Sequence, residues 1–361
     1  MNNFQESGAQ PLQRAPTIRL IAWELTRCCG YSCVHCRASA SSGPYTGELT
    51  TAECEEVLKN IASFGNPVII LTGGEPLLRC DIFHIIEYGT ALGLKMVMAT
   101  CSSLLTVQIA ARLKKAGVRR ISLSIDSVDP QIHDQFRGFS GAFDAVMKGC
   151  QAARMATLEF QVNTTVTNDN VEQLPGLLKL AEREGAVAFH PFLLVPTGRA
   201  EGLEMMGLSA PVYEKVLHWI CSQNVESKIA IKPTCAPHYC RIAAQRGVGA
   251  RMKTGHDTMT RGCLGGHGFA FISHRGRVQM CGFLQECAGE LRENGWDFRS
   301  VWESSPFFEQ LRRKDQYGGR CGYCKYWKRC GGCRARAFAA SGNCFSEEPF
   351  CLYQPQQAGS R

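Results

Sequence analysis

The 361-residue sequence lacks any apolar run long enough to cross a membrane, and its first residues, MNNFQESGAQPLQRAP, are polar. The longest apolar run elsewhere, AFHPFLLV, is short and is interrupted by Pro191. Neither a secretory signal peptide nor a membrane span is therefore expected, and we expect a cytoplasmic protein.

Clusters of positive charge are also missing, although 40 Lys and Arg against 32 Asp and Glu give a formal net charge of +8. The basic residues are spread along the chain and do not form blocks interleaved with aromatic residues. We therefore expect no nucleic-acid partner. The charge better suits a small polyanionic substrate.

Cysteine, in contrast, is abundant, with 20 residues. Nothing in the sequence directs the chain to an oxidising compartment, where disulfides would persist. Metal binding is therefore the first explanation to consider for these cysteines.

Six apolar, β-rich runs alternate with segments of helical period, which is typical of stacked βα units. The runs are IRLIAWELT, PVIILTG, KMVMAT, RRISLSID, EFQVNTTVT and AVAFHPFLLV. The helix candidates are 51–64, 81–92, 107–116, 142–156, 170–184 and 211–222. The pattern predicts an α/β fold, a partial barrel of six βα units over 18–230 that follows an N-terminal tail of residues 1–17.

The rhythm ends near residue 230, and the segment 231–361 is rich in Gly, Arg and Cys. It contains a hairpin-like stretch, FAFISHRGRVQMCGF, and short helix candidates at 305–314 and 334–340. Because few long apolar runs remain, we expect a second domain that depends on metal for its fold.

The stretch TRCCGYSCVHCR follows the first strand and supplies Cys29, Cys33 and Cys36 as C-x3-C-x2-C, with Cys28 one residue too early. Three thiolates around a four-iron cluster leave one iron without a protein ligand. Such an iron can chelate the amino and carboxylate groups of a methionine moiety. Zinc is the alternative, but structural zinc takes four ligands, and His35 is awkwardly placed as the fourth.

A second cysteine group, CGYCKYWKRCGGC, supplies Cys321, Cys324 and Cys330, and Cys351 follows at a distance. Four converging thiolates make a complete ligand set for an iron–sulfur cluster.

The stretch WELTRCCGYSCVHCRA resembles the cluster loop of the radical S-adenosylmethionine (radical SAM) superfamily, and the resemblance covers residues 18 to about 225. It implies a [4Fe-4S] cluster with an open iron and S-adenosylmethionine (SAM) as cofactors. It also implies that TGGEP, with Gly73, Gly74, Glu75 and Pro76, binds the methionine amino group. Taken alone, a Gly-Gly pair after a strand is only a turn.

The same resemblance implies further SAM contacts at the ends of later strands. Ser124 and Asp126 approach the methionine carboxylate or the ribose, while Asn163 and Val195 lie near the ribose and the adenine. His35, which precedes the third cysteine, lies over the adenine. The alternative is that the strand-end residues merely finish their strands.

The cysteine-rich C-terminal region resembles the extension called SPASM or twitch, which implies one or two auxiliary [4Fe-4S] clusters. In the two-cluster form, Cys263, Cys281 and Cys333 would hold the second cluster with a non-cysteine or open position, because Ala270 stands where another thiolate could have been. The alternative is that they are small buried hydrophobic residues. That alternative is our interpretation of five further cysteines, Cys54, Cys80, Cys101, Cys150 and Cys221.

The phrases KPTCAPHYCRI, RGCLGGHGFAFISHRGRVQMCGF and CGGCRARAFAASGNCFSEEPFC resemble the heme b synthases of the siroheme-dependent heme pathway. This resemblance implies oxidative decarboxylation of two propionates of iron-coproporphyrin III to vinyl groups. It also implies a low-potential electron donor of the flavodoxin or ferredoxin kind and an electron acceptor. The stretch ATCSSLL departs from the Pro-Asn-Gly type of turn that is usual after the third strand.

Carboxylates of such a substrate require arginines. The candidates are Arg199, Arg241 and Arg261, and His238 and Tyr239 are further candidates for contact with the iron or a propionate. The alternative is that the loop arginines are solvated.

Three alternative functions stay open. One is another tetrapyrrole-modifying radical SAM enzyme, a didecarboxysiroheme deacetylase or an enzyme of the heme d1 type. Another is a SPASM peptide-maturing enzyme, against which we weigh the short segment of about 17 residues before the first strand. The third is a non-catalytic iron–sulfur carrier or zinc protein.

Overall fold

The computed structural model describes residues 15–203, 206–248 and 262–356. Within these ranges, ten strands form one sheet in the order β10-β9-β8-β1-β2-β3-β4-β5-β6-β7. Their bounds are β1 Leu20–Thr26, β2 Val68–Gly73, β3 Lys95–Ala99, β4 Arg120–Ser124, β5 Glu159–Val166, β6 Ala188–Leu193, β7 Ala230–Ile231, β8 Phe269–Ile272, β9 Arg277–Cys281 and β10 Leu284–Glu290.

The strands from β1 to β7 pair in parallel, each with the next along the chain. Helices or loops cross over between them, as parallel pairing requires. The α/β class and the partial barrel predicted from the alternating pattern are confirmed. The carboxyl ends of the parallel strands share one edge of the sheet, where the active sites of barrel enzymes lie.

The helices in the described residues cover the predicted segments and add several short ones. Their bounds are α1 Thr51–Phe64, α2 Ile82–Ala91, α3 Val107–Ala116, α4 Pro130–Arg137, α5 Ala142–Met155, α6 Leu174–Arg183, α7 Ala210–Glu226, α8 Tyr239–Gln245, α9 Phe298–Ser304, α10 Pro306–Arg312, α11 Gly319–Tyr323 and α12 Arg334–Ser341. The single short helix expected at 305–314 is two helices, because Ser305 and Pro306 end one and begin the next. No helix in the described ranges is long and apolar enough to span a membrane.

The C-terminal hairpin continues the barrel sheet. Strand β8 pairs in parallel with β1, with Leu20 opposite Phe269 and Trp23 opposite Ile272, and β9 and β10 follow antiparallel. Apolar residues of both regions therefore share one core cluster, in which Ile21 and Ile272 are fully buried. The boundary at 230 stays a prediction.

Helix α12 connects the two edges of the sheet. It contacts β10, while its Arg336 donates to the carbonyls of Leu193 and Leu194 at the end of β6, at 3.4 and 3.1 Å. The sheet is thus an incomplete barrel whose open side is covered by the C-terminal region.

Candidate active site and cluster sites

The loop after β1 gathers three of its four cysteines. Cys29 and Cys33 are buried and Cys36 is partly buried, and all three belong to one small cluster with Tyr31. Cys28 faces elsewhere, because its thiol donates to the carbonyl of Ser42 at 3.1 Å. The structure therefore separates the C-x3-C-x2-C set from the extra cysteine.

Each gathered sulfur has an N–H donor. The backbone N–H groups of Tyr31 and Ala40 lie 3.4 Å from the sulfurs of Cys29 and Cys36, and the Arg137 guanidinium lies 3.8 Å from that of Cys33. Hydrogen bonds to sulfur support thiolate ligation and tune cluster potentials. The residues present thus suit a cluster held at three positions.

The thiol of Cys101 adds a fourth polar contact at this loop. Its hydrogen bond to Cys29, followed by the opposing effect of burial, lowers the pKa of Cys29 to about 7. Cys101 is partly buried and packs against this small cluster, whereas our interpretation as a small buried hydrophobic residue was wrong for Cys80, which is exposed. Cys54, Cys150 and Cys221 are buried as expected.

The TGGEP turn lies directly against the cluster loop. The N–H groups of Gly74 and Glu75 donate to the carbonyls of Thr26 and Cys28, both at 2.7 Å. A Cβ at Gly74 would lie 2.2 Å from the Cys28 carbonyl oxygen, and one at Gly73 would lie 2.1 Å from that of Thr26. Only glycine allows this approach, so the turn and the loop form one rigid unit.

Glu75 is buried at the end of this turn and accepts three hydrogen bonds. The donors are the N–H of Leu77 at 3.0 Å, the Thr100 hydroxyl at 2.8 Å and the N–H of Cys101 at 2.6 Å. A carboxylate has about four acceptor positions. The glutamate therefore holds the turn after β3 and keeps about one position for an added donor such as an ammonium group. Pro76 begins a short 3-10 helix after it.

Asp126 follows β4 and forms a buried ion pair with Arg137, 2.5 Å apart. Its carboxylate also accepts the N–H of Thr165 at 2.7 Å. Burial alone would raise the pKa of Asp126, but Arg137 and neighbouring histidines outweigh it and lower that pKa. Asp126 is thus ionised, and Arg137 joins it to the Cys33 sulfur.

His35 stacks on Phe136 with ring centroids 4.4 Å apart. Burial, with the nearby positive charge of Arg137, lowers the pKa of His35 to about 3, so the ring is neutral. Its Nδ1 is buried without a hydrogen-bond partner in the described residues. The ring is therefore a flat neutral surface beside the cluster loop.

The remaining predicted SAM contacts lie at the same edge of the sheet. Ser124 on β4 pairs in register with Asn163 on β5, whose side-chain oxygen accepts a hydrogen bond from Gln161 at 3.0 Å. Val195 is buried just after β6. The structure brings these positions to one edge with the cluster loop, and their individual roles stay predictions.

The second cysteine group surrounds a single cavity. Cys321, Cys324, Cys330 and Cys351 all line this one cavity, with Arg241 at its wall. Two of these sulfurs accept hydrogen bonds from backbone N–H groups. Tyr326 donates to Cys324 and Gly332 donates to Cys330, both at 3.4 Å. This arrangement suits the predicted four-thiolate cluster site.

The third group is also close together. Cys263, Cys281 and Cys333 lie near enough for their charges to interact, and a further cysteine, Cys235, lies among them. Cys235 was missed because it lies far from the others in the sequence, in PTCAPHYC, and no spacing rule links them. Ala270 is instead a buried residue within β8, paired with Ile21.

Within the described ranges, no three His, Cys, Asp or Glu side chains surround a single metal-ion position.

The predicted substrate residues lie in two places. Arg199 donates to the carbonyls of Cys33 and Ala40 at 2.8 and 2.6 Å, so it holds the cluster loop, and its Nη2 has no partner among the described residues. Arg241 is paired with Glu214 at 2.5 Å. Their roles as substrate contacts stay predictions, and Arg261 lies outside the described residues.

His238 and Tyr239 face different neighbours. The His238 ring is fully buried, packs edge-on against Tyr213 with centroids 5.1 Å apart, and lies 3.7 Å from the Glu348 carboxylate. Tyr239 is buried, and its hydroxyl accepts a hydrogen bond from Asn224 at 2.8 Å. Of these two residues, His238 lines the cavity of the auxiliary cysteines and Tyr239 does not.

A charged group in the barrel interior was not predicted. Glu24 on β1 is fully buried and contacts Arg27 at 2.9 Å, Arg37 at 2.7 Å and His274 at 2.7 Å. Burial would raise the pKa of Glu24, but the hydrogen bond from His274 and the two arginines outweigh it and lower that pKa strongly. The one sequence feature that could have indicated the two arginines is their position on either side of the cysteine loop.

Comparison with known proteins agrees with this geometry. Residues 23–181 match the model of the radical SAM superfamily. A solved structure of SuiB from Streptococcus suis bound to S-adenosylmethionine shares the fold, with a TM-score of 0.73 and 16% identity over 93% of this chain and 78% of that one. The fold and the three-cysteine loop define a radical SAM enzyme whose cysteine-rich C-terminal region fits a SPASM-like extension.

Sequence relatives of the chain indicate which group of radical SAM enzymes it belongs to. A protein named AdoMet-dependent heme synthase from Oleidesulfovibrio alaskensis is 46% identical, over 97% of this chain and 92% of that protein. Another of the same name from Methanosarcina barkeri is 48% identical over 93% of this chain and 97% of that protein. The chain belongs to this family of radical SAM heme synthases, and its cofactors include a [4Fe-4S] cluster and SAM.

Proposed function

We propose that the enzyme oxidatively decarboxylates two propionate side chains of iron-coproporphyrin III to vinyl groups, giving heme b. The observation that carries the proposal is the 46 to 48% identity to AdoMet-dependent heme synthases over nearly the whole chain. The likeness includes the C-terminal region, which a match to the barrel alone would not include.

When bound, the cluster and SAM supply a 5′-deoxyadenosyl radical that removes a hydrogen atom from the substrate. The chain's own residues prepare that reaction. Cys29, Cys33 and Cys36 hold three corners of the cluster, and the free acceptor position of Glu75 receives the methionine ammonium group. The neutral ring of His35 gives the adenine a flat surface without adding positive charge.

The reacting propionate must lie beside SAM, and hence beside the cluster loop. Arg27 and Arg37 flank that loop, and 32% and 18% of their side chains are exposed. Arg27 and Arg37 pair with Glu24, just as Arg241 pairs with Glu214. Because of their place beside the loop, we add Arg27 and Arg37 to the candidate carboxylate contacts, where each charge-assisted bond contributes about 1.5 to 3 kcal/mol.

Glu24 positions this pair of arginines. Because it is ionised and touches both, it holds their guanidinium groups on one wall while leaving outer N–H groups for a ligand.

Loss of the substrate carboxylate leaves one electron to be removed for each vinyl group formed. Cys321, Cys324, Cys330 and Cys351 would hold an auxiliary cluster, which would supply an acceptor for this electron before an external one. A low-potential donor of the flavodoxin or ferredoxin kind would serve the first cluster.

The decisive experiment is turnover of iron-coproporphyrin III by anaerobically reconstituted enzyme with SAM and a reductant, followed by mass spectrometry. We expect the porphyrin to lose one carbon dioxide and two hydrogen atoms per reacting side chain, first once and then twice. Cys36→Ala is the inactive control. An unchanged porphyrin beside abundant 5′-deoxyadenosine would overturn the proposed substrate and favour another tetrapyrrole or a peptide.

The arginine assignment has its own test. Arg37→Gln should weaken binding of iron-coproporphyrin III at least tenfold, measured by absorbance titration, because a charge-assisted contact is lost. Arg275→Gln, an exposed-loop arginine that donates to the Thr46 carbonyl at 3.3 Å, is the matched control. Equal affinities of all three proteins would remove Arg37 from the site.

A further inference from the structure

Arg334, the first residue of α12, is a fully buried arginine with 1% of its surface exposed. Its guanidinium lies over the Tyr317 ring, 4.5 Å from the centroid, and donates to the carbonyls of Cys344 and Ser346 at 2.9 and 2.6 Å. Its Nε is buried without a hydrogen-bond partner among the described residues. A guanidinium stays charged in proteins, and buried charges are normally paired with an opposite charge.

No carboxylate provides this opposite charge. Arg334 forms no ion pair with a carboxylate in the part of the chain that the structure describes. The two arginines that line the auxiliary cavity differ from it in this respect. Arg241 pairs with Glu214 at 2.5 Å, and Arg320 pairs with Glu347 at 3.0 Å. The positive charge of Arg334 therefore needs another negative group.

The sulfur of Cys321 is within reach of Arg334. The Arg334 Nη2 lies 3.8 Å from that sulfur, and the backbone N–H of Glu348 lies 3.4 Å from it. Gly332, which has a φ of +65°, makes room for this contact. A Cβ at Gly332 would collide with the Arg334 Nη2 and would lie 3.3 Å from the Cys321 sulfur. The fold thus brings a buried cation against one ligand of the auxiliary site.

We propose that Arg334 is the counter-charge of the auxiliary cluster held by Cys321, Cys324, Cys330 and Cys351, and that it raises the reduction potential of this cluster. The inference deepens the proposed function and rests on it for the presence of the auxiliary cluster. Reduction adds one negative charge to the cluster. A fixed cation beside a ligand sulfur therefore stabilises the reduced form more than the oxidised form, and burial limits screening by solvent and salt.

A raised potential suits a site that accepts an electron. After hydrogen abstraction, the bond between the carboxylate and the side chain breaks and the vinyl double bond forms. The substrate radical thereby releases carbon dioxide and one electron, and no proton moves in this step. The electron reduces the oxidised auxiliary cluster by one unit, and the external acceptor later removes it. Arg334 thus acts on the electron acceptor and not on the porphyrin.

A potentiometric titration followed by EPR tests the inference on anaerobically reconstituted full-length protein without SAM or porphyrin. The signal of a reduced cluster that disappears in Cys324→Ala belongs to this site. In Arg334→Gln the midpoint potential of that signal should fall by at least 59 mV, which is a tenfold shift for one electron. Arg334→Lys should show a smaller fall, because the ammonium group keeps the charge but not the planar fork.

Arg320→Gln is the matched control, because Arg320 lines the same cavity and the substitution removes the same charge. Its side chain is 24% exposed and is already paired with Glu347. The midpoint potential should therefore change much less than in Arg334→Gln, since solvent screens an exposed charge. Equal falls in the two variants would overturn the assignment of a special role to the buried contact.

Other results would also overturn the inference. One is a wild-type potential in whichever Arg334 variant retains the cluster. Another is loss of the cluster from both variants, because a residue that only sets the potential is not needed to hold the iron. A wild-type EPR spectrum in Cys324→Ala would remove the auxiliary cluster of the proposed function as well. Because no porphyrin is present, a wrong substrate would leave all of these potentials unaffected.

Discussion

Arg137 shows how one side chain joins two functions of the site. It reaches the Cys33 sulfur at 3.8 Å and the Asp126 carboxylate at 2.5 Å from the end of α4. Cys33 is distant in the sequence although Asp126 lies in the loop that precedes α4, and the polar octapeptide PQIHDQFR gave no sign of a buried arginine. The cysteines themselves were predictable, because their short spacing fixes them as a set.

Replacement of Arg137 by Gln should destabilise the protein by about 3 to 5 kcal/mol, because Asp126 is left as an unpaired buried charge. It should also weaken SAM binding. Arg137→Lys keeps the charge and should recover part of both losses. Chemical denaturation and equilibrium SAM binding of the three proteins check this, and a Gln variant as stable as the wild type would show that the pair contributes little.

His133, on the same helix, gives a pH prediction. Its Nδ1 accepts the N–H of Asp126 at 3.2 Å, and burial together with Arg137 lowers the pKa of His133 to about 4. As the pH falls, His133 therefore takes up a proton near pH 6.5 in the unfolded chain but only near pH 4 in the folded protein. Stability from this group is complete above pH 6.5 and is lost as the pH falls towards 4, by about 1.4 kcal/mol per pH unit.

Denaturation at pH 7 and pH 5 tests this. His133→Asn should lose about 2 kcal/mol less between the two pH values than the wild type does, since the unfolded state no longer gains this proton. His84→Asn, on the exposed face of α2, is the control and should behave as the wild type. An unaltered difference in His133→Asn would contradict the account.

At the scale of elements, the active-site edge of the sheet is defined by the close approach of two backbone segments, the turn after β2 and the cluster loop after β1. The strands and the longer helices were predictable from their periodic apolar residues. The capping box of Thr50 and Glu53 and the left-handed Gly117 mark helix ends in the structure as they do in the sequence. The contact between TGGEP and the cluster loop was not predictable, because it joins β1 and β2 by backbone groups that any sequence possesses.

Gly74→Ala tests this contact. Its Cβ would meet the Cys28 carbonyl at 2.2 Å, so the loop must move and its three cysteines must separate. We expect about four fewer irons per chain and at least a tenfold loss of SAM cleavage. Gly30→Ala is the matched control within the same loop, because nothing lies within 4 Å of its added Cβ. Normal iron content in Gly74→Ala would show that the turn does not brace the loop.

At the scale of the whole molecule, the C-terminal region closes the barrel. Arg336 is central to this closure, since it pairs with Glu348 at 3.1 Å and donates to carbonyls after β6 and β7. Sequence patterns predicted a metal-dependent C-terminal region but not its pairing with β1, because strand order between distant segments leaves no local signal. For the same reason Cys235 was not linked with the other cysteines.

Arg336→Met should destabilise the protein by about 3 to 5 kcal/mol, because Glu348 becomes a buried unpaired carboxylate. The double variant Arg336→Met/Glu348→Gln removes that charge and should be more stable than Arg336→Met alone. Thermal and chemical unfolding of the single and double variants measure the difference. Equal stability of the two would mean that the charge pair does not hold the C-terminal region.

The central claim is that a cluster held by Cys29, Cys33 and Cys36 alone keeps one iron open for SAM. The most direct measurement is 5′-deoxyadenosine formation from SAM by reduced, oxygen-free enzyme, compared with Cys29→Ala and Cys28→Ala. The account predicts formation by the wild type and Cys28→Ala and none by Cys29→Ala. No 5′-deoxyadenosine from iron-loaded wild type, or equal amounts from Cys29→Ala, would contradict it.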